Sequence, residues 1–176
     1  MIMPIKQAEI LLEQPVREDG QAIHALVQQC PPLDVNAIYT YLLLSEHFTR
    51  TCVVARRQDE VVGFVSAYRH PDRETVLFIW QVAVHASARG MGLGLSMLRH
   101  LLQRPGLEGV RTIETTVGPE NRASRRMFAR IAQAAHADIR ESALFEPHLF
   151  GPQAHEDERL LRIGPLNFQP LEVSTQ

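Results

Sequence analysis

Residues 76–102 limit what this chain can fold into more than any other stretch. The apolar run 76–84 reads as a strand. A short polar connection, 85–88, leads into Arg89-Gly90-Met91-Gly92-Leu93-Gly94. Apolar residues then recur near helical spacing at Leu93, Leu95, Met97, Leu98, Leu101 and Leu102. This is a strand, a glycine-rich turn and a helix. The first backbone N–H groups of a helix have no partner within it, and the positive end of its dipole points into the turn. Phosphate is the natural ligand of such a turn.

Spacing separates the known phosphate turns. A P-loop needs a lysine after its second glycine, and the only lysine here is Lys6. A dinucleotide turn needs G-x-G-x-x-G; counting from Gly90 its last position is Leu95, and from Gly92 it is Met97. What remains is Arg-x-x-Gly-x-Gly, carried by Arg89, Gly92 and Gly94. It resembles the acyl-CoA pyrophosphate loop of the GNAT (GCN5-related N-acetyltransferase) superfamily. The bland alternative is an ordinary glycine turn before a helix.

The 176 residues suffice for one domain with a sizeable core. Hydrophobic residues make up 45% and charged residues 22%, as in an ordinary globular protein. A formal net charge of −2 gives no basic field for nucleic acid. No apolar stretch approaches the ~18 residues of a membrane span. Cys30 and Cys52 form no C-x-x-C pair and nothing resembles a signal peptide, so two free thiols in a reducing cytosol are expected. The arginines at 122, 125, 126 and 130 read as the wet face of a helix.

In chain order, residues 10–12 read as a first strand. Asp19 is placed to cap a helix bearing Ile23, Leu26 and Val27, which Pro31-Pro32 stops. Asp34 is placed to cap a second helix with Ile38, Tyr39, Leu42 and Leu43 on its stripe. Strands are expected at 51–55, 61–68 and 75–84, then the loop helix, then a strand at 110–117 joined in parallel by a right-handed crossover. A helix bearing Ala123, Met127, Phe128 and Ile131 follows, and short strands at 142–145 and 160–163 close the chain. The ends, 1–8 and 167–176, are expected to be mobile. The fold class is α/β (α+β), a mixed, mostly antiparallel sheet with helices on both faces, in one domain spanning 1–176.

Four stretches narrow the resemblance: CPPLDVNAIY (30–39), FIWQVAV (78–84), ETTVGPENRAS (114–124) and LLRIGP (160–165). Over about residues 16–166 the chain resembles the L-2,4-diaminobutyrate acetyltransferases. That family implies acetyl-CoA as co-substrate, acetylation of the γ-amine on the route to ectoine, a homodimer and a cytoplasmic setting. The superfamily pattern places pantetheine beside backbone groups of Val82 and Val84, the pyrophosphate on residues 89–94 (Arg89, Gly90, Met91, Gly92, Leu93, Gly94), and an asparagine, here Asn121, near pantetheine. Asn121 equally suits a plain helix cap.

Acetyl transfer to an amine needs a held thioester, a neutral amine and donors for the oxyanion. An alkyl ammonium has a pKa of roughly 10, so something must accept its proton. Glu114 interrupts a core strand, on the face shared with Thr112 and Thr116, and is the expected base or amine binder. Thr116 lies beside it as a substrate contact. A substrate with two ammonium groups calls for a second anion, and Asp34 is the candidate, with helix capping as the alternative. Trp80 offers either a cation–π contact or core packing. Tyr39 and the linker residue His155 complete the candidate substrate set. Phe128 stands where many superfamily members carry a tyrosine that protonates the leaving thiolate. No metal-ligand spacing occurs. Outside this reading stand another small amine as acceptor, or a noncatalytic acyl-CoA-binding regulator.

Overall fold

The computed structural model describes residues 9–152 and 157–167; His155 and the segments 1–8 and 168–176 lie outside the described residues. The described residues form seven strands: β1 (Ile10–Glu13), β2 (Val53–Arg57), β3 (Glu60–His70), β4 (Arg73–Val84), β5 (Thr112–Val117), β6 (Asp138–Phe145) and β7 (Glu158–Gly164). Four α-helices accompany them: α1 (Gly20–Gln28), α2 (Ile38–His47), α3 (Leu93–Leu102) and α4 (Arg122–Ala134). By hydrogen bonding the strands run β1-β2-β3-β4-β5-β7-β6. β4 and β5 are parallel, as a helical crossover requires. The element order matches the sequence expectation.

The chain divides into two compact units, one holding residues up to Tyr68 together with Trp80–Leu107, the other Arg69–Ile79 and everything from Glu108. In the first, α1 and α2 bury Ile23, Leu26, Val27, Tyr41 and Leu44 against Val54, Val61, Phe64 and Ala83 of the strands. Tyr41 is fully buried; its ring meets His24 at 5.7 Å and Phe64 edge-on at 6.3 Å. Burying such a side chain contributes about 1.5–3 kcal/mol. Gly63 lets α3 lie close, since a Cβ there would stand 3.0 Å from Met97 Sδ. Arg104, just past α3, is 7% exposed and donates to the carbonyls of Cys52 (2.6 Å), Glu13, Thr49 and Arg50. One guanidinium thus ties the end of α3 to two chain segments, Glu13 and residues 49–52. Cys30 and Cys52 are free and buried, Cys52 immediately before β2.

In the second unit α4 buries Phe128, Ile131 and Ala132. Ile113 and Val117 of β5 and Leu161 and Ile163 of β7 are buried as well. Strand alternation puts Glu114 and Arg162 on the opposite face from these residues. Both cysteines are free and a helix forms at 122–134 as expected, but Cys52 precedes its strand and several other local readings are corrected. Asp19 stands at the N-cap of α1, but its side chain makes no cap hydrogen bond. It ends a 3-10 turn, accepts from the N–H of Val16 at 2.9 Å and pairs with Arg56. Asp34 does not cap α2, whose N-cap is Ala37. The expected α2 stripe is out of phase: Ile38, Tyr39 and Leu42 are exposed, while Tyr41, Leu44 and Ser45 are buried. On α4 Ala123 is exposed and Ala132 takes its place in the core. β6 begins four residues earlier than expected; all eight of its residues are exposed, so no apolar face announced it. The chain after Pro165 is held at its start, Leu166 N–H donating to Arg111 and Asn167 N–H to Ala135, both at 2.8 Å.

Candidate functional site

The glycine turn is built as its spacing requires. Gly90 and Gly92 have φ of 77° and 73°, the left-handed region where a Cβ is strained. Gly92 is the N-cap of α3 and offers no side-chain cap, so the first N–H groups of α3 have no side-chain cap. A Cβ at Gly90 or Gly92 would meet nothing within 4 Å, so the turn is open. Arg89, Gly90, Met91 and Gly92 are exposed, whereas Leu93 and Gly94 are buried and seat the helix. Arg89 Nε donates to the Val84 carbonyl at 3.0 Å, closing the turn back onto the end of β4. Arg57 reaches Ser87 Oγ at 3.2 Å and steadies the approach to the turn. Such a turn, made of backbone with one arginine at its rim, is able to serve as a phosphate cradle.

The strand leading into the cradle also has a free edge. His85 N–H donates to the Val62 carbonyl at 2.9 Å, so by the two-residue repeat the backbone groups of Val82 and Val84 face away from β3. The register with β5 ends at Ile79. An extended ligand can add to such an edge as a strand does. The Val84 carbonyl is already taken by Arg89 and, at 3.4 Å, by the Cys30 thiol.

Trp80 is 42% exposed and Tyr39 65% exposed, so neither ring is a core residue. Asp34 is also exposed, on the segment before α2. A buried polar chain fixes that segment. Gln81 Nε2 donates to the Asp34 carbonyl at 2.7 Å, Tyr41 Oη donates to Gln81 Oε1 at 3.3 Å, and Asn36 N–H donates to Tyr41 Oη at 3.3 Å. The Gln81 N–H in turn donates to Ser66 Oγ. Gln81 thus joins β4, one residue from Trp80, to the backbone that presents Asp34. Sequence reasoning missed it; its signal was a lone amide inside the apolar run FIWQVAV.

In the second unit Glu114 is 2% exposed. Arg73 grips it at both oxygens, at 2.6 and 2.8 Å, and Arg162 adds bonds of 2.7 and 2.6 Å. Burial alone pushes this carboxyl up, but the hydrogen bonds and charges of Arg73 and Arg162 outweigh it and hold the group below its ordinary range. A carboxylate so occupied is an anchor for two guanidinium groups and a weak proton acceptor. Arg73 and Arg162 were not among the expected site residues. Thr116 is half-buried beyond Glu114 on β5. Asn121 caps α4, its Oδ1 accepting from Ser124 N–H at 3.1 Å. Phe128 is 2% exposed and has no group to donate a proton.

The profile of the acetyltransferase (GNAT) family matches residues 20–132. An L-2,4-diaminobutyric acid acetyltransferase of Bordetella parapertussis is 54% identical over 160 residues, covering 90% of this chain and 86% of that protein. One from Methylotuvimicrobium alcaliphilum is 44% identical, covering 89% and 91%. Among solved structures, diaminobutyrate acetyltransferase EctA from Paenibacillus lautus, in complex with its substrate L-2,4-diaminobutyric acid and coenzyme A, superposes with a TM-score of 0.88. It is 37% identical, over 93% of this chain and 99% of that one. A ribosomal-protein-S18-alanine N-acetyltransferase from Escherichia coli has the same fold at TM-score 0.68 and 15% identity. The chain belongs to the acetyltransferase (GNAT) family and, within it, to the L-2,4-diaminobutyric acid acetyltransferases.

Proposed function

We propose that this chain transfers the acetyl group of acetyl-CoA to the γ-amine of L-2,4-diaminobutyrate, giving N4-acetyl-L-2,4-diaminobutyrate for ectoine synthesis. The observation that carries this reading is the likeness to a solved relative that holds both diaminobutyric acid and coenzyme A. The open cradle at 89–94 supports it from this chain's own geometry.

In this reading residues 89–94 hold the pyrophosphate, and Val82 and Val84 offer backbone groups to pantetheine, Val82 or Val84 N–H serving as oxyanion donor. Asn121 is assigned a pantetheine contact in addition to capping α4. Asp34 attracts the ammonium groups, with Trp80 and Tyr39 as exposed ring surfaces beside the same strand and helix, and Thr116 and His155 complete the substrate contacts. The neutral amine nitrogen attacks the thioester carbon, the C–S bond breaks, and the amine proton leaves to water. CoA leaves as thiolate and takes its proton from solvent, since Phe128 cannot supply one. Glu114 acts through charge, as the counter-ion that orders Arg73 and Arg162, rather than as the base. The working form is a homodimer of single-domain chains in the cytoplasm. No described helix is long and apolar enough to cross a membrane.

A thiol-release assay with acetyl-CoA and a panel of amines tests the reading. Diaminobutyrate should be preferred at least tenfold in kcat/KM over ornithine and lysine. Equal rates on all three would defeat the substrate assignment. Tight CoA binding with no turnover on any amine would identify a regulator instead.

A further inference from the structure

One row of charged side chains crosses β5, β7 and β6. Glu114 stands opposite Arg162, and Arg162 opposite Arg140. Arg73 joins the row through its two bonds to Glu114. Arg73 and Arg162 therefore share one carboxylate, both of whose oxygens are spent on them, and a third guanidinium, that of Arg140, stands in the same row. Arg140 makes no hydrogen bond or ion pair among the described residues. Asp138, opposite Gly164, is exposed, and counting it still leaves an excess of positive charge. Like charges placed directly opposite on neighbouring strands are destabilising.

A cavity of about 260 Å³ lies beside this row, lined by Thr112, Arg140, Arg162, Gly164 and Pro165. Its wall depends on a glycine. A Cβ at Gly164 would come within 2.8 Å of Thr112 Oγ1 and 3.0 Å of the Arg111 carbonyl. A side chain there would press on the threonine hydroxyl, so glycine keeps it uncovered. Two guanidinium groups and a hydroxyl thus line a space that holds no acidic side chain, and one of the guanidinium groups is aimed by a buried carboxylate.

We propose that Arg140, Arg162 and the Thr112 hydroxyl form a binding site for a small oxyanion, with Glu114 as the buried post that orients Arg162. The ligand chemistry is a planar or tetrahedral oxyanion able to take a guanidinium fork. Two sources share that chemistry: free inorganic phosphate or sulfate, and the α-carboxylate of an amino-acid substrate. The second source rests on the diaminobutyrate reading above; the first does not.

The test uses the full chain, wild type and Arg140→Gln. Arg140 has no partner to lose, so the variant should fold, and its circular dichroism and melting curve in chloride verify this. Phosphate and sulfate are titrated at constant ionic strength against chloride by calorimetry and melting, and KM and kcat are measured for diaminobutyrate. Wild type should bind at least one of the three oxyanions saturably, and Arg140→Gln should weaken that binding tenfold or more, with Arg140→Lys restoring part of it. A tenfold rise in KM for diaminobutyrate with kcat retained identifies the substrate carboxylate as the source. Loss of phosphate or sulfate binding with KM unchanged identifies the inorganic anion. If no saturable component is weakened by Arg140→Gln, or if wild type binds none of the three saturably, the site is overturned. A wild-type chain that binds phosphate through Arg140 yet acetylates no diaminobutyrate would keep the site and discard the substrate reading.

Discussion

The turn at 89–94 and the cluster at Glu114 both handle charge, by opposite means. The turn is backbone, open to solvent, and shaped by two glycines in the left-handed region. The cluster is side chain, buried at its centre, and its carboxylate is already saturated. Backbone N–H groups at a helix start can take an anion without a residue being ionised, so that site loses little when empty. The cluster works the other way. Its charges stabilise one another in the folded chain, and removing one leaves the others exposed to their own repulsion.

The largest effect that would sharpen this contrast is Glu114→Gln. Breaking a buried pair by removing one partner costs about 3–5 kcal/mol, and the part-exposed arginines reduce this to roughly 3. A fall in Tm of about 6–12 °C is expected by scanning calorimetry. A variant that melts like wild type would show that the cluster is not structural. Arg104→Met comes next, because it strands the buried carbonyl of Cys52 and three part-buried ones in the first unit, with a loss of about 2–3 kcal/mol expected in urea titration.

Gly92→Val should behave in the reverse sense to Glu114→Gln. A β-branched residue at φ 73° costs of the order of 1–3 kcal/mol. The turn relaxes out of shape, and calorimetry should read CoA binding weaker by about 10- to 100-fold. If Gly92→Val keeps its CoA affinity, the backbone cradle is not what holds the cofactor.

The next difference is one of pH. The Glu114 carboxyl is lowered in the folded chain, so the unfolded chain binds its proton more readily. Its contribution is fully present above the unfolded value of 4.5 and is lost as pH falls through the lower folded value. Stability of wild type should therefore drop on acidification below about pH 4.5, and Glu114→Gln should lack that increment. The smallest expected effect is Arg89→Gln, which removes one rim charge and its bond to Val84. A loss of CoA affinity of about 3- to 10-fold is expected, shrinking as salt is raised.

The same contrast explains what could be read from the sequence. The turn was legible because its parts are contiguous, and glycines at fixed offsets report backbone shape directly. Glu114 was legible as an oddity, a carboxylate among β-branched residues, but its role was not. Its partners lie 41 and 48 residues away in the chain, and no local pattern links Arg73 or Arg162 to it. α2 was misphased because its most buried ring carries a hydroxyl that Gln81 satisfies, while apolar Ile38 and Leu42 stay outside. β6 escaped in part because a fully exposed edge strand has no hydrophobic period to detect. The order of the elements survived these slips, since each apolar run still ended at a proline, a glycine or a charged turn.

The Gln81 amide has one further consequence. It is a strut between β4 and the segment that displays Asp34, and its ends are a main-chain oxygen and a tyrosine locked in the interior. Neither β4 at Gln81 nor the segment at Asp34 can then drift without the other. On the proposed function, repacking around the buried Tyr41 would shift Asp34 against Trp80 and with it the preferred length of the diamine.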